Sequence, residues 1–112
     1  MKAFNEDLMQ GTLDMLILRV LSTSSLHGWG IAQRIHMLSS DALRVEEGSL
    51  YPALYRLEGK GLIKSEWGVS ELNRRAKFYT VTRSGLKHYA KERSKWIRLA
   101  KATALVVNYR MS

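Results

Sequence analysis

The strongest constraint on this 112-residue chain is the way its apolar spacing changes along the sequence. Before residue 58, apolar residues recur every three or four positions, which is the spacing of one buried helix face. Residues 62–67 and 77–82 instead resemble two strands around a polar stretch, and helical spacing returns from Arg83 to Tyr109. The predicted order is therefore helix, helix, a short strand at Leu43–Val45, helix, strand, basic loop, strand and a long helix.

The first predicted helix is apolar on more than one side. Leu13 belongs to a face with the i, i+3, i+4, i+7 and i+8 spacing, and Met15 and Leu18 add apolar surface outside that stripe. A helix with two apolar faces usually packs between two neighbours. We therefore expect this helix, with Leu13, Met15 and Leu18, to contribute to contact with a second subunit.

The third helix has the clearest boundaries. Ser49 is a suitable N-cap, and Pro52 then falls in the first turn, where its missing N–H would have had no partner. Leucine and alanine line one face, whereas Pro52, Tyr55 and Arg56 are predicted to point away from it. Tyr51 lies at the boundary between the two faces, and two glycines end the helix.

The last helix is long for so small a domain, and Thr82 is predicted to cap it. Its apolar residues recur at spacings of three, four and seven, with Arg93 interrupting the series, and basic residues cover the remaining faces. This narrow seam resembles the edge of a coiled coil and predicts a homodimer. The seam residues are Leu86, Tyr89, Trp96, Ala100, Thr103 and Val107.

Charge is distributed unevenly along the chain, whose formal net charge is +8. Residues 1–50 hold four Lys or Arg against six Asp or Glu, whereas residues 51–112 hold fourteen against four. A basic half beside a slightly acidic half favours contact with a polyanion, although a soluble protein can also simply be basic.

Several classes of protein are disfavoured by the composition. There is no cysteine, and no apolar run approaches the ~20 residues of a membrane span. Met1–Gln10 is not a signal peptide, because two acids and one lysine precede the apolar stretch, so we expect a cytoplasmic protein. The spacings of His27, His36 and His88 do not suit a zinc site, and His27 is better explained as a helix-entry residue. No catalytic set or phosphate loop stands out, so we expect no enzyme activity, metal or cofactor.

Three short helices followed by a two-stranded wing describe a winged helix-turn-helix, an α+β fold that is mainly α. We predict one compact unit, with residues 1–82 forming the DNA-binding domain and residues 83–112 the dimerisation helix. In this design the third helix enters the major groove. Arg74 and Arg75 at the hairpin tip can reach phosphate or the minor groove.

The chain also resembles the PadR family of bacterial regulators over roughly residues 8–99. The motifs that carry this resemblance are QGTLD (Gln10–Asp14), HGWGI (His27–Ile31), GSLYPALYRLE (Gly48–Glu58) and NRRAKFY (Asn73–Tyr79). The single C-terminal helix is similar to the small members, particularly a branch common in soil acidobacteria. Two positions depart from the family: Trp29 replaces a usual tyrosine, and the wing tip Glu71–Asn73 replaces glycine found in many members.

The resemblance implies a dimer held by the terminal helices, with double-stranded DNA bound by helix three and the wing, and repression of nearby genes. Some small members respond to aromatic compounds at the dimer interface, which makes Trp96, with Arg93 and Trp29, candidate effector-binding residues. The residues expected to contact DNA are Ser49, Tyr51, Pro52, Tyr55, Arg56, Lys60, Lys64, Arg74, Arg75 and Lys77.

Two other functions stay open at this point. Winged helices also serve as protein–protein interaction modules. An uncharged wing and an apolar outer face on helix three would favour that function. A basic surface can also bind DNA or RNA without sequence preference.

Overall fold

The computed structural model describes residues 10–111. Four helices and three strands follow the order α1, β1, α2, α3, β2, β3, α4, and the predicted α+β architecture that is mainly α is confirmed. Their bounds are Gln10–Leu21 (α1), Leu26–His27 (β1), Gly28–Leu38 (α2), Glu47–Gly59 (α3), Ile63–Val69 (β2), Arg75–Val81 (β3) and Arg83–Val107 (α4).

One hydrophobic core joins the first three helices to the sheet. The helices contribute branched aliphatic side chains at the positions that the three-and-four spacing predicted, and the sheet contributes one face of its strands. The largest side chains that are fully buried are Ile17, Leu18, Ile31, Leu50, Leu54, Leu57 and Ile63.

The sheet is antiparallel with the strand order β1, β3, β2. Strands β2 and β3 form the predicted hairpin, in register with Ser65 opposite Tyr79 and Trp67 opposite Lys77. The hairpin is longer than predicted, because pairing continues to Val69 opposite Arg75 and leaves a loop of only residues 70–74.

The predicted short strand at Leu43–Val45 is wrong. Within this segment only Leu43 makes an isolated bridge, and the short strand is instead Leu26–His27, which precedes α2. Its residues pair with Tyr79 and Phe78 along the edge of β3 that β2 leaves unpaired. Three alternating residues are too few to identify a strand, since pairing depends on which segment reaches a strand edge.

The three residues expected at a subunit interface, Leu13, Met15 and Leu18, expose little surface in one chain. Their exposed fractions are 3%, 8% and 0%, so the chain buries all three by itself. The second apolar side of α1 is covered within the chain, where α2, α3 and α4 all contact this helix. These three side chains therefore pack first within their own chain, and their contact with a second subunit stays a prediction.

Helix α4 begins at the sheet and then leaves the domain. Thr82 caps it as predicted, with its side chain accepting a hydrogen bond from the Gly85 amide. Gly85 fits there because a Cβ would collide with the Leu62 carbonyl. Every residue from 98 to 111 is exposed. The prediction that Met1–Gln10 is not a signal peptide concerns residues that lie outside the described part, apart from Gln10. The outer ends of the predicted units 1–82 and 83–112 also lie outside it.

Candidate nucleic-acid interface

Helix α3 begins earlier than the sequence suggested. Glu46 occupies the N-cap position and Glu47 is the first helical residue, so Ser49 lies inside the first turn and the prediction that it caps α3 is wrong. Pro52 accordingly lies one turn further in than predicted, inside the helix. Pro52 has no N–H with which to bond the carbonyl of Gly48, so the helix tolerates this position only by giving up one internal hydrogen bond.

The two faces of α3 divide as the periodicity predicted, with one exception. The inner face buries its leucine and alanine side chains, whereas Tyr51 and Tyr55 expose 48% and 82% of their surface, and Pro52 is also exposed. Two phenol rings therefore stand beside one another on the outer face. Aromatic rings with a hydroxyl group suit a surface that meets sugar, phosphate and base edges.

Arg56 is the exception, because the prediction that it points outward is wrong. Its Nη2 donates a hydrogen bond to Oδ1 of Asp14 on α1 at 3.0 Å, and its buried Nε has no partner among the described residues. Burial raises the pKa of Asp14 despite the opposing charge of Arg56. The pair joins α3 to α1, so the first role of Arg56 is to hold α3 against α1.

The two faces of the wing differ in what they carry. Ile63 is buried and the Ser65 hydroxyl donates to the Glu58 carboxylate of α3 at 2.6 Å, so this face of β2 is turned toward α3. Alternation places Trp67 on the same face, and its partner Lys77 with it. Lys64 lies on the opposite face and is exposed there.

The loop of the wing is a tight turn in which asparagine replaces glycine. The Asn73 amide donates to the Ser70 carbonyl and the Ser70 amide to the Arg74 carbonyl, at 2.9 and 2.8 Å. Asn73 adopts the left-handed conformation with φ of 58°, which asparagine tolerates better than most residues. Glycine is therefore not required for the turn at this tip.

His27 connects the wing tip to α2. Its Nδ1 accepts a hydrogen bond from the Gly30 amide at 3.0 Å as the N-cap, which confirms it as a helix-entry residue. Its Nε2 lies 3.4 Å from the Glu71 carboxylate. The pKa of Glu71 is lowered, first by a hydrogen bond from its own backbone and then by His27. The imidazole therefore fixes both the start of α2 and the acid of the wing tip.

A cleft of about 640 Å³ lies between the wing and the start of α2 and α3. A Cβ at Gly28 would come within 2.7 Å of the Tyr51 hydroxyl, so the glycine permits the close approach of α2 and α3. The cleft brings together one predicted tyrosine and three predicted cations with two tryptophans. These residues are Trp29, Tyr51, Trp67, Arg74, Arg75 and Lys77.

The cations in this cleft lie close to one aromatic ring. The Arg75 guanidinium carbon lies 4.4 Å from the ring centroid of Trp67, and the Lys77 Nζ lies 5.8 Å from it. Both distances are within the range of a cation–π contact. Trp67 is the residue that sequence reasoning missed. The available signal was a tryptophan in a strand followed by two cations at alternate positions of the partner strand.

Several predicted site residues do not line this cleft. Lys60 ends α3 and its charge acts on Asp14, so it lies toward α1, while Lys64 occupies the other wing face. The expected effector set is also divided within one chain. Trp29 lines the wing cleft, whereas Arg93 and Trp96 are exposed on α4.

The second half of α4 carries an apolar stripe that no other part of residues 10–111 covers. Tyr89 packs against the core, and Trp96, seven positions later, exposes 49% of its surface on the same side of the helix. Ala100, Thr103 and Val107 continue this side, and all are exposed. The stripe that packs on the domain at one end therefore extends into open space at the other.

The described part of the chain offers neither a metal site nor a membrane-spanning helix. Among residues 10–111, no three histidine or acidic side chains are grouped so that they could hold a metal ion. None of the helices in that range is both long and apolar enough to cross a membrane.

Comparison with known proteins identifies relatives of nearly the same length. The model of the transcriptional regulator PadR-like family matches residues 17–91. A transcriptional regulator from Clostridium thermocellum superimposes with a TM-score of 0.78 at 30% identity, covering 90% of this chain and 95% of that chain. A PadR family regulator from Eggerthella lenta gives 0.74 at 28% identity, covering 90% and 86%. An uncharacterized Lysinibacillus sphaericus protein is 28% identical over 90 residues, covering 80% and 83%.

Proposed function

Because the chain belongs to the PadR-like family of transcriptional regulators, we propose that it is a repressor that binds an inverted-repeat DNA operator as a homodimer. The match confirms the family that the sequence motifs indicated. The observation that carries the proposal is the pairing of an outward aromatic face on α3 with a cationic wing across one cleft.

The proposed DNA-contacting surface combines two kinds of contact. Tyr51, Pro52 and Tyr55 occupy the exposed side of α3, the helix that enters the major groove in helix-turn-helix proteins. Arg74 and Arg75 of the wing supply positive charge for phosphate or the minor groove. Ser49 lies near the start of α3 and is exposed, which suits a phosphate contact even though it is not the cap.

The remaining predicted contacts are secondary in this proposal. Lys77 belongs to the cleft, so we place it with the wing arginines. Lys60 and Lys64 attract DNA only through their general charge, because neither lies in the cleft. Arg56 acts by holding α3 through Asp14, and any contact of its own with DNA is additional.

The proposed dimer forms through α4. The last turns of α4, residues 98–107, are all exposed and gain little support from their own domain, and short isolated helices are marginal in water. A second copy of α4 placed along the stripe of Trp96, Ala100, Thr103 and Val107 buries this surface. The twofold axis then sets two recognition helices about 34 Å apart, one helical turn of DNA.

The proposal includes an effector site at the dimer interface. In a dimer, the two Trp96 rings approach the axis from both chains, and flat aromatic compounds pack well on such rings. A compound bound there releases DNA by changing the angle between the two heads. Arg93 lies three positions earlier on the same helix and joins Trp96 in this proposed site, whereas Trp29 of the same chain lines the wing cleft.

The test is fluorescence anisotropy with labelled duplex DNA from upstream of the protein's own gene, with a scrambled duplex as competitor at two salt concentrations. We expect tight binding that survives the competitor, with one dimer per site. Binding that the scrambled duplex removes equally well indicates a non-specific nucleic-acid binder. Absence of binding to either duplex leaves the protein–protein module as the better description.

The wing is tested by comparing K77A with K64A. The two lysines lie on opposite faces of one hairpin, so the change of charge is identical and only the face differs. We expect K77A to weaken binding and to reduce the slope of log affinity against log salt by about one, because one phosphate contact is lost. K64A is expected to leave the slope nearly unchanged, and equal effects of both would contradict the proposed face.

A further inference from the structure

We propose that Trp67 is a DNA-contacting residue and that the cleft between the wing and α2–α3 holds the sugar–phosphate backbone of one DNA strand. This inference rests on the proposed function. Trp67 would add an apolar contact to an interface whose other proposed contacts are tyrosines and cations.

The exposure of Trp67 is the first observation. The indole leaves 58% of its surface exposed, although tryptophan is one of the residues that gains most from burial. It lies two residues beyond Ser65, on the wing face turned toward α3, so the exposed ring faces the cleft. An exposed aromatic ring in a cleft is typical of a binding surface.

The cations on the ring are the second observation. Arg75 and Lys77 lie 4.4 and 5.8 Å from the Trp67 centroid, and Arg74 follows at the same mouth of the cleft. No acid of the described residues forms an ion pair with any of these three cations. Glu71 also lines the cleft, but its carboxylate lies 3.4 Å from His27 Nε2. The charge of the three cations is therefore available to an anionic ligand, while the indole stays beside them as an apolar platform.

The position of the cleft selects the ligand. Tyr51 at the start of α3 forms one wall and the wing forms the other. A helix in the major groove and a wing in the neighbouring minor groove must have one strand's backbone between them, because the backbone separates the two grooves. Phosphates would meet Arg75 and Lys77, and deoxyribose carbons would pack on Trp67. The cleft volume of about 640 Å³ provides room for such a segment.

The experiment measures the affinity of the full chain for operator and scrambled duplexes at several salt concentrations, comparing wild type, W67A and W67F. We expect W67A to weaken both duplexes by a similar factor of about ten, which corresponds to the loss of roughly 55 Å² of buried apolar contact between the indole and the deoxyribose carbons. The salt slope should stay unchanged, because no charge is lost. W67F should recover most of the affinity, since it keeps an aromatic platform.

The salt slope separates contact from support. If Trp67 only holds Arg75 and Lys77 in place, W67A reduces the slope as well as the affinity, and the inference is overturned. Unchanged affinity in W67A overturns it too, while the regulator function stands if wild type still discriminates the operator. Failure of wild type to bind DNA refutes the proposed function instead. Circular dichroism of each variant checks that it is folded.

A second measurement does not depend on truncating the ring. The chain has three tryptophans, so in a W29F/W96F variant only Trp67 emits. After anisotropy has established that this variant binds the duplex, saturating DNA should quench its tryptophan emission. Binding without any change of emission would place the Trp67 ring away from the DNA and contradict the inference.

Discussion

Replacing Leu99 with alanine should weaken the homodimer without damaging the domain. Leu99 lies on the second half of α4, three residues after Trp96 and therefore beside it on the unpartnered stripe. It exposes 66% of its surface, so its own domain gains little from it. In the proposed dimer, a second α4 covers this side chain.

The expected magnitude follows from that exposure. Burial of a complete leucine side chain stabilises by about 1.5–3 kcal/mol. Since 66% of Leu99 is still exposed, its burial in a dimer contributes about 1–2 kcal/mol per chain. A twofold dimer uses the residue twice, so L99A loses about 2–4 kcal/mol. This corresponds to a dissociation constant raised about 30- to 1,000-fold.

The assay is sedimentation velocity over a range of concentrations, with L105A as a matched control. Leu105 is the same residue on the same helix and exposes 75% of its surface, but nine positions from Trp96 it faces about the opposite side. L105A is expected to dimerise like wild type. Equal weakening by both variants, or no weakening by L99A, would refute the stripe as the interface, and a monomeric wild type at micromolar concentration would refute the dimer.

Two further predictions concern stability within one chain, measured by urea unfolding at fixed protein concentration. Burial raises the pKa of Asp14 above its ordinary value of 3.8, so the folded state binds the proton more tightly than the unfolded state does. The contribution of this carboxyl group to stability therefore falls as the pH rises from 3.8 through the raised pKa. The difference in free energy of unfolding between wild type and D14N should therefore move in favour of wild type as pH falls through that window, and a constant difference would contradict the shift. Ser40 adopts a left-handed conformation with φ of 54°, so S40G should stabilise by up to about 1 kcal/mol and S40V should destabilise by about 1 kcal/mol or more. The opposite order of the two variants would show that φ does not limit this position.

Much of the fold was predictable because it depends on local patterns. The leucines of α3 are buried where three-and-four spacing placed them, and Thr82 and His27 cap the helices that they were expected to begin. Caps and periodic faces involve residues within a few positions of one another. The start of α3 was misplaced at Ser49, because a good capping residue can also lie inside a first turn.

The functional surface was predictable only in part. The sequence identified the basic hairpin and the tyrosines of α3, since composition and a family resemblance both indicate them. It did not show which face of the hairpin turns toward α3, and Lys77 and Lys64 lie on opposite faces. Only the packing of β2 on α3, through buried Ile63 and the hydrogen bond from Ser65 to Glu58, turns the face with Trp67 and Lys77 toward the cleft.

The helices, the hairpin, the buried faces of the helices and the family all followed from the sequence, because each depends on neighbouring residues or on a motif. The short strand did not, and it lies before α2 instead of after it. The tertiary structure decided which side chains meet across elements. Arg56 bonds Asp14, 42 positions away along the chain, and so turns toward α1. Trp67 of β2 and Tyr51 of α3 line one cleft, although they are distant along the chain. Contacts between distant segments depend on how the whole core packs, and no local pattern encodes that arrangement.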